Sequence, residues 1–285
     1  MGMWNRTAET LSRDELADLQ LKGLQKSLRR VWGNEFYRGR LAAKGIASPE
    51  DVKTLDDLPK LPFFTKDDFR DAYPLKMNCV ERRELMEFHQ SSGSTGTPVV
   101  MAYTKNDLNQ WAECMARCYT MAGLEKGDAF QIMPTFGLFN GGFGCYHGCR
   151  KAHLFCVPAS SGNTERQIKL MRDFHVKGFC SVVSYVPRLI EKLDADPNGD
   201  FDIPSLKVGI FGSETFSDEL RRRIEKRLHI ECFDIYGMTE TGGIGKSTRR
   251  IGQRGRVMRV ESADGIKNDS CIFCIIGQRT DLIQT

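Results

Sequence analysis

From residue 130 to residue 235 short apolar runs alternate with amphipathic segments, and this alternation constrains the fold more than any other feature of the chain. Phe130 to Met133, Leu154 to Val157, Phe179 to Val183, Val208 to Phe211 and Cys232 to Ile235 read as strands. Thr164 to Phe174, Pro187 to Leu193 and Asp218 to Leu228 read as helices between them, the last with Leu220, Ile224 and Leu228 at intervals of four. Strands separated by helical crossovers pair in parallel, because the chain must be carried back to the same edge before the next strand begins. The expected fold class is α/β with a mostly parallel sheet, preceded by a helical N-terminal region. There Ser12-Arg13-Asp14-Glu15 forms a capping box, followed by Leu16, Leu19, Leu24, Leu28 and Val31 at near-helical spacing. Pro59 to Pro62 mark a turn, and Thr65-Lys66-Asp67-Asp68 opens another capped helix. Thr104-Lys105-Asn106-Asp107 caps a further helix whose Leu108, Trp111, Met115 and Tyr119 share one face.

The run Ser91-Ser92-Gly93-Ser94-Thr95-Gly96-Thr97-Pro98 interleaves hydroxyl residues with glycines and feeds directly into Val99-Val100-Met101-Ala102-Tyr103. Glycine lets backbone N–H groups approach an anion closely, and the hydroxyls add donors, so the run suits a polyphosphate. A flexible linker has the same composition, but a linker does not usually run straight into a buried strand. Gly242-Gly243-Ile244-Gly245-Lys246-Ser247 comes close to a second phosphate loop of the form G-x-x-x-x-G-K-[ST]. Glu240 stands where its opening glycine should be, and a carboxylate there brings the wrong charge.

The 285 residues, 40% of them hydrophobic, suffice for one large domain or two smaller ones. No stretch approaches the roughly 18 apolar residues of a membrane span, and Met1-Gly2-Met3-Trp4-Asn5-Arg6 lacks a signal-peptide core, so a cytoplasmic protein without membrane partners is expected. Ten cysteines without such a signal read as reduced thiols packed as small apolar residues. Cys145, His147, Cys149, His153 and Cys156, and separately Cys271 and Cys274, have spacings compatible with zinc ligation, but neither group has a second ligand pair at the usual distance. The net charge of +4 is uneven: Lys246, Arg249, Arg250, Arg254, Arg256 and Arg259 follow one another without an acidic residue between them. No aromatics interleave this run, which favours a solvated basic face over nucleic acid.

Beyond the carboxyl ends of the expected strands, where open α/β sheets bind ligands, fall three polar clusters. They are the Ser/Gly run, Phe211-Gly212-Ser213-Glu214, and Asp234-Ile235-Tyr236-Gly237-Met238-Thr239-Glu240-Thr241-Gly242-Gly243. Together they resemble the adenylate-forming superfamily, which activates carboxylic acids with ATP. More narrowly, Leu61-Pro62-Phe63-Phe64-Thr65-Lys66, Gly137-Leu138-Phe139-Asn140-Gly141-Gly142 and Gly162-Asn163-Thr164-Glu165-Arg166-Gln167 resemble the phenylacetate-CoA ligases, over roughly residues 10 to 243. The resemblance implies that Ser91, Ser92, Gly93, Ser94, Thr95, Gly96 and Thr97 hold the phosphates of ATP. It implies that Thr239 donates to the α-phosphate, that Glu240 ligates Mg²⁺, and that Tyr236 stacks on adenine with Ser213, Glu214, Asp234 and Gly237 nearby. Phe136, Phe139, Gly141, Phe143 and Tyr185 are the candidate walls of an acid pocket, although aromatic residues in such positions are more often simply core.

The implied reaction is ATP-dependent formation of an acyl-adenylate from an aryl acid such as phenylacetate, leaving AMP after acyl transfer to coenzyme A. Expected ligands are ATP or AMP, Mg²⁺, the acid and coenzyme A, and a homodimer is compatible with the sequence. Three regions are expected: residues 1–80, helical; 81–245, the AMP-binding α/β core; and 246–285, a divergent basic tail in place of the family's smaller C-terminal domain. That domain carries a lysine which reaches the α-phosphate, so the chain is expected to bind nucleotide while adenylating poorly. A relative that adenylates another acid or a deazaflavin cofactor, and a non-catalytic nucleotide-binding module, are the alternatives.

Overall fold

The fold is known from a computed structural model that describes residues 2–91, 96–248, 250–251 and 256–257. These residues form two compact units: Asn5–Gln110 with Met238–Gly243, and Trp111–Gly237 with residues 2–4 and the described residues from Ile244 onward.

The first unit is helical at its start, as the capping signals predict. It holds α1 (Arg6–Glu9), α2 (Arg13–Trp32), α3 (Glu35–Ala43) and α4 (Lys66–Asp71). At the head of α2 the Ser12 hydroxyl accepts from Glu15 N at 3.3 Å while the Glu15 carboxylate accepts from Ser12 N at 2.8 Å. Such reciprocal caps satisfy donors that a helix start leaves open, and each contributes about 1 kcal/mol. Leu24, Leu28 and Val31 are the buried face of α2, whereas Leu16 and Leu19 are half-buried. Thr65 and Asp68 cap α4 in the same way, and Arg40 of α3 reaches Asp68 at 2.6 Å. The unit continues into an antiparallel pair, β1 (Leu85–Gln90) and β2 (Val100–Thr104), with Gln90 opposite Val100. Sequence reading found β2 but not β1. Met86 and Phe88 point outward from β1 and are exposed while Glu87 and His89 are the more buried, so the apolar–polar alternation runs opposite to that of an ordinary half-buried strand.

Chain continuity into the second unit runs through α5 (Lys105–Met121), capped as expected: Asp107 accepts from Thr104 N at 2.9 Å and from the Thr104 hydroxyl at 2.8 Å. There follow β3 (Ala129–Ile132), α6 (Asn140–Lys151), β4 (Phe155–Val157), α7 (Thr164–Asp173), β5 (Gly178–Val182), α8 (Val186–Asp194), β6 (Val208–Gly212), α9 (Asp218–Leu228), β7 (Glu231–Met238) and β8 (Gly243–Thr248). The sheet order is β4-β3-β5-β6-β7-β8, and the pairs from β4 through β7 are all parallel. Two short strands, β9 (Arg250–Ile251) and β10 (Arg256–Val257), pair with each other in antiparallel fashion. Each strand predicted between residues 130 and 235 is present within a few residues of its expected ends. The segment that resembled a second phosphate loop is strand β8, not a loop leading into a helix.

Phe130, Phe179, Ile210, Phe211 and Phe233 are fully buried along the sheet, and burying such a side chain contributes roughly 1.5–3 kcal/mol. Helix α6 escaped prediction because Gly141, Gly142, Gly144 and Gly148 obscure its pattern. The structure gives a reason for two of them. A Cβ on Gly144 would fall on the Trp111 ring, and one on Gly148 would fall on Met115 Cβ, so glycine lets α6 lie against the apolar face of α5. The Tyr119 hydroxyl completes that contact by donating to the Cys145 carbonyl at 2.8 Å. Among the described residues no helix is long and apolar enough to cross a membrane.

Gly148→Ala is expected to lower stability by about 1–3 kcal/mol through overpacking against Met115. Gly39→Ala in α3, where a Cβ would meet nothing within 4 Å, is expected to be neutral or to gain up to about 1 kcal/mol. Urea denaturation of both variants beside the parent chain checks the contrast.

Candidate active site

In the first unit the β1–β2 hairpin is the frame of the Ser/Gly run. Ser91 N donates to the Val99 carbonyl at 2.9 Å, and Val99 N donates to the Ser91 hydroxyl at 2.9 Å, closing the base of the loop. Arg70 of α4 donates to the Thr97 carbonyl at 3.3 Å from the far side. Gly96, exposed, takes φ +127°, a conformation that only glycine adopts without cost. Ser92, Gly93, Ser94 and Thr95 lie outside the described residues. The second half of the cluster after β7 belongs to the same unit: Thr239–Thr241 is a single 3-10 turn that packs against β2. It is closed by Gly242 N donating to the Thr239 carbonyl at 3.1 Å, and the Thr241 hydroxyl donates to the Met238 carbonyl at 3.1 Å. Thr239 and Glu240 are half-buried on this turn. The Thr-Glu turn therefore lies along the strand that leaves the Ser/Gly run.

In the second unit the loops at the carboxyl ends of β3, β4, β5 and β6 are joined side chain to side chain. The Thr135 hydroxyl donates to the Ser161 hydroxyl at 2.9 Å, linking the β3 and β4 loops. The Tyr185 hydroxyl, beyond β5, donates to Thr164 Oγ1 at 3.0 Å at the start of α7. Beside it Ser184 donates to Glu214 twice, from N at 3.0 Å and from the hydroxyl at 2.9 Å, linking the β5 and β6 loops. Below this row Gln131 Nε2 on β3 donates to Gln167 Oε1 at 2.7 Å, and Gln167 Nε2 donates to the Ser160 carbonyl at 2.6 Å. Arg166 donates to the carbonyls of Ala159 and Ser161, both at 3.3 Å. The segment from Gly162 to Gln167 thus shapes the β4 loop.

The remaining predicted residues fall as follows. Ser213 is exposed with φ +69°, in the left-handed region that non-glycine residues rarely enter, directly after β6. Glu214 is exposed, and both its carboxylate oxygens accept from Ser184. Asp234 is half-buried opposite Phe211 of β6, Gly237 is half-buried, and the Tyr236 ring is 59% exposed. Phe136 and Phe143 meet edge to face at 5.5 Å, and Phe136 also meets Tyr146 at 6.1 Å. Gly141 is half-buried against Pro134, Phe139 is exposed, and Tyr185 packs on the hydrophobic core of the second unit. Sequence reading missed Ser184, Thr135, Ser161 and Gln131. Only their position at or just past a strand end could have singled them out.

Among the described residues, which include Cys145, His147, Cys149, His153 and Cys156, no group of three or more His, Cys, Asp or Glu is arranged to hold a metal ion. Cys271 and Cys274 lie outside the described residues. This does not bear against Mg²⁺ at Glu240, since that ion is commonly held by one or two carboxylates together with substrate phosphates and water.

Residues 40–267 match the AMP-binding enzyme family. The chain belongs to that family. Within it, the chain is 42% identical over 238 residues to a phenylacetate-coenzyme A ligase of Pseudomonas putida, a match that covers 83% of this chain and 54% of the relative. It is 40% identical over 238 residues to a phenylacetate-coenzyme A ligase of Escherichia coli K12, again covering 83% of this chain and 54% of the relative. The chain thus spans about half the length of the curated relatives it matches. A 2-hydroxyisobutyryl-CoA ligase solved in an open conformation with 2-HIB-AMP and CoA superposes with a TM-score of 0.77 at 22% identity, over 87% of this chain and 55% of that one. The same ligase in its postadenylation state with 2-HIB-AMP gives 0.78 at 23% identity over 87% of this chain and 54% of that one. At such identity the likeness establishes the fold: an AMP-binding enzyme's parallel sheet, with helical crossovers.

The Ser184–Glu214 pair offers a test of how firmly the loops of the second unit are fixed. A thermal-denaturation cycle over Ser184→Ala, Glu214→Ala and the double variant is expected to give a coupling of about 1 kcal/mol. Additive effects would mean that the β5 and β6 loops are held by other contacts.

Proposed function

We propose that the chain activates a carboxylic acid with ATP, forming an acyl-adenylate, and that the acid is aryl, of the phenylacetate type. The observation that carries this reading is the placement of the Thr239–Glu240 turn against the strand that leaves the Ser/Gly run. In-line attack of a carboxylate oxygen on the α-phosphorus breaks the bond to pyrophosphate, which leaves with the electron pair, and negative charge gathers on the phosphoryl oxygens. Donors set in advance around those oxygens lower the barrier. Thr239 would donate to the α-phosphate, while Thr97 and the backbone amides around Gly96 would hold the outer phosphates with Ser91, Ser92, Gly93, Ser94 and Thr95. Glu240 is a half-buried oxygen donor on the same turn, and Mg²⁺ held there would neutralise phosphate charge.

The Tyr236 ring, exposed beyond the end of β6, is proposed to stack on adenine, with Ser213, Asp234 and Gly237 bordering the base. Glu214 is proposed to act through Ser184, shaping the loop instead of touching the nucleotide. The edge-to-face pair Phe136–Phe143 supports an aryl acid, with Phe139, Gly141 and Tyr185 as further walls. The named relatives are ligases to coenzyme A, which supports a second step in which a thiolate attacks the acyl carbon and AMP departs. That step is proposed to draw on the half of the relatives that this chain does not match.

Pyrophosphate release with MgATP and phenylacetate is expected to be measurable, and to fall about ten-fold or more in Glu240→Gln. Release unchanged by that substitution would overturn the role of Glu240. ATP binding by calorimetry with no release at all would favour a nucleotide-binding module, and absence of ATP binding would overturn the reading.

A further inference from the structure

The cysteines whose sequence spacing is compatible with zinc are arranged instead in pairs. Cys149 lies in the last turn of α6 and Cys156 in the middle of β4, the edge strand of the sheet. A tight reversal joins them: His153 N donates to the Arg150 carbonyl at 3.3 Å, Leu154 N donates to the Cys149 carbonyl at 3.0 Å, and His153 takes φ +55°. This reversal brings the two sulfurs into side-chain hydrogen-bond contact, and the Tyr119 hydroxyl also contacts Cys149. Cys149 is wholly buried, and Cys156 is partly exposed. A second contacting pair, Cys145 and Cys180, is buried on both sides.

We propose that Cys149 and Cys156 form a dithiol that a hydroperoxide converts to a disulfide, with Cys156 as the attacking sulfur and Cys149 as the resolving one. The Cys156 thiolate attacks one peroxide oxygen, the O–O bond breaks, and the departing oxygen takes up a proton and leaves as an alcohol, or as water from hydrogen peroxide. Cys156 is then a sulfenic acid. The Cys149 sulfur attacks it, an S–S bond forms as the S–O bond breaks, and the Cys149 proton leaves with the hydroxide as water. The two thiols give up two electrons, and one peroxide is reduced by two. The hydrogen bond from Cys149 holds the Cys156 thiol below its ordinary range against the opposing effect of burial, and burial holds Cys149 well above it. That division suits the roles, since the thiolate is the nucleophile and access selects the site of oxidation. Nothing in this chemistry depends on nucleotide or acid binding.

The full chain is treated with hydrogen peroxide, its remaining thiols are blocked with N-ethylmaleimide, and a non-reducing tryptic digest is read by mass spectrometry. Cleavage after Arg150 and Lys151 separates the two cysteines, so the disulfide is expected as a link between peptides 127–150 and 152–166, with fragmentation placing it at Cys149 and not Cys145. The link is expected to vanish with dithiothreitol and in Cys156→Ser. In Cys149→Ser a dimedone adduct is expected on Cys156. The parent-chain map is decisive by itself should a variant fail to fold. A link through Cys145 or Cys180, Cys156 recovered as sulfinic or sulfonic acid without a link, or Cys156 no faster to react than Cys79 would each overturn the proposal.

Discussion

Parallel pairing is the constraint on which the second unit depends. Backbone N–H and C=O groups of β3, β5 and β6 are buried from both faces of the sheet and must be satisfied by neighbouring strands. Parallel neighbours are reachable only through crossovers, so each strand must be followed by a helix that covers a face and returns the chain. The same requirement sends every strand-to-helix loop to one edge. Polar residues there do not have to be collected from distant parts of the chain. They arrive together because Thr135, Ser161, Ser184 and Glu214 each follow a strand of the same sheet.

Loops gathered in this way still need fixing, and here side chains do what the backbone ladder cannot. Pairing stops at the strand ends, and beyond them Thr135–Ser161, Tyr185–Thr164 and Ser184–Glu214 continue the connection from β3 to β6. At the start of β7 helix α9 provides a comparable restraint. Arg221 Nη1 donates to the Cys232 carbonyl at 2.6 Å, Glu225 accepts from Cys232 N at 3.0 Å, and the two side chains lie one helical turn apart. Arg221 is buried with its guanidinium 4.6 Å from the Phe216 ring, and the same enclosure with Glu225 nearby pushes the Cys232 thiol up to about 12. A buried cation is tolerable here because it meets a carbonyl and an aromatic face.

Hydrophobic period made the parallel strands, their crossover helices and the capped helices legible, since burial and capping are encoded within a few residues of one another. The features that escaped depend on partners far away in sequence. Gly144 and Gly148 look hostile to a helix until Trp111 and Met115 are known to lie against α6. Outward Met86 and Phe88 conceal β1 until β2 is known to pair with it. The candidate site divides along the same line. Residue types in short motifs announced Thr239, Glu240, Tyr236 and the Ser/Gly run, whereas the partner of Glu214 is Ser184, 30 positions earlier and in no motif.

Ser213 and Tyr236 show what the ends of strands contribute to such a site. The register between β6 and β7 closes at Phe211 opposite Asp234, and Ile235 packs over Gly212, where a Cβ would stand 3.0 Å from Ile235 Cγ1. Past that point β6 turns away through the left-handed Ser213 while β7 runs on to Met238. The Tyr236 ring has no further β6 residue beside it and stands exposed, though it belongs to a strand whose inner residues Phe233 and Ile235 are buried. A strand that outlasts its neighbour offers an aromatic face on a rigid support, with its χ angles and not its backbone left to adjust. The base proposed to stack on Tyr236 would be held there with little ordering cost.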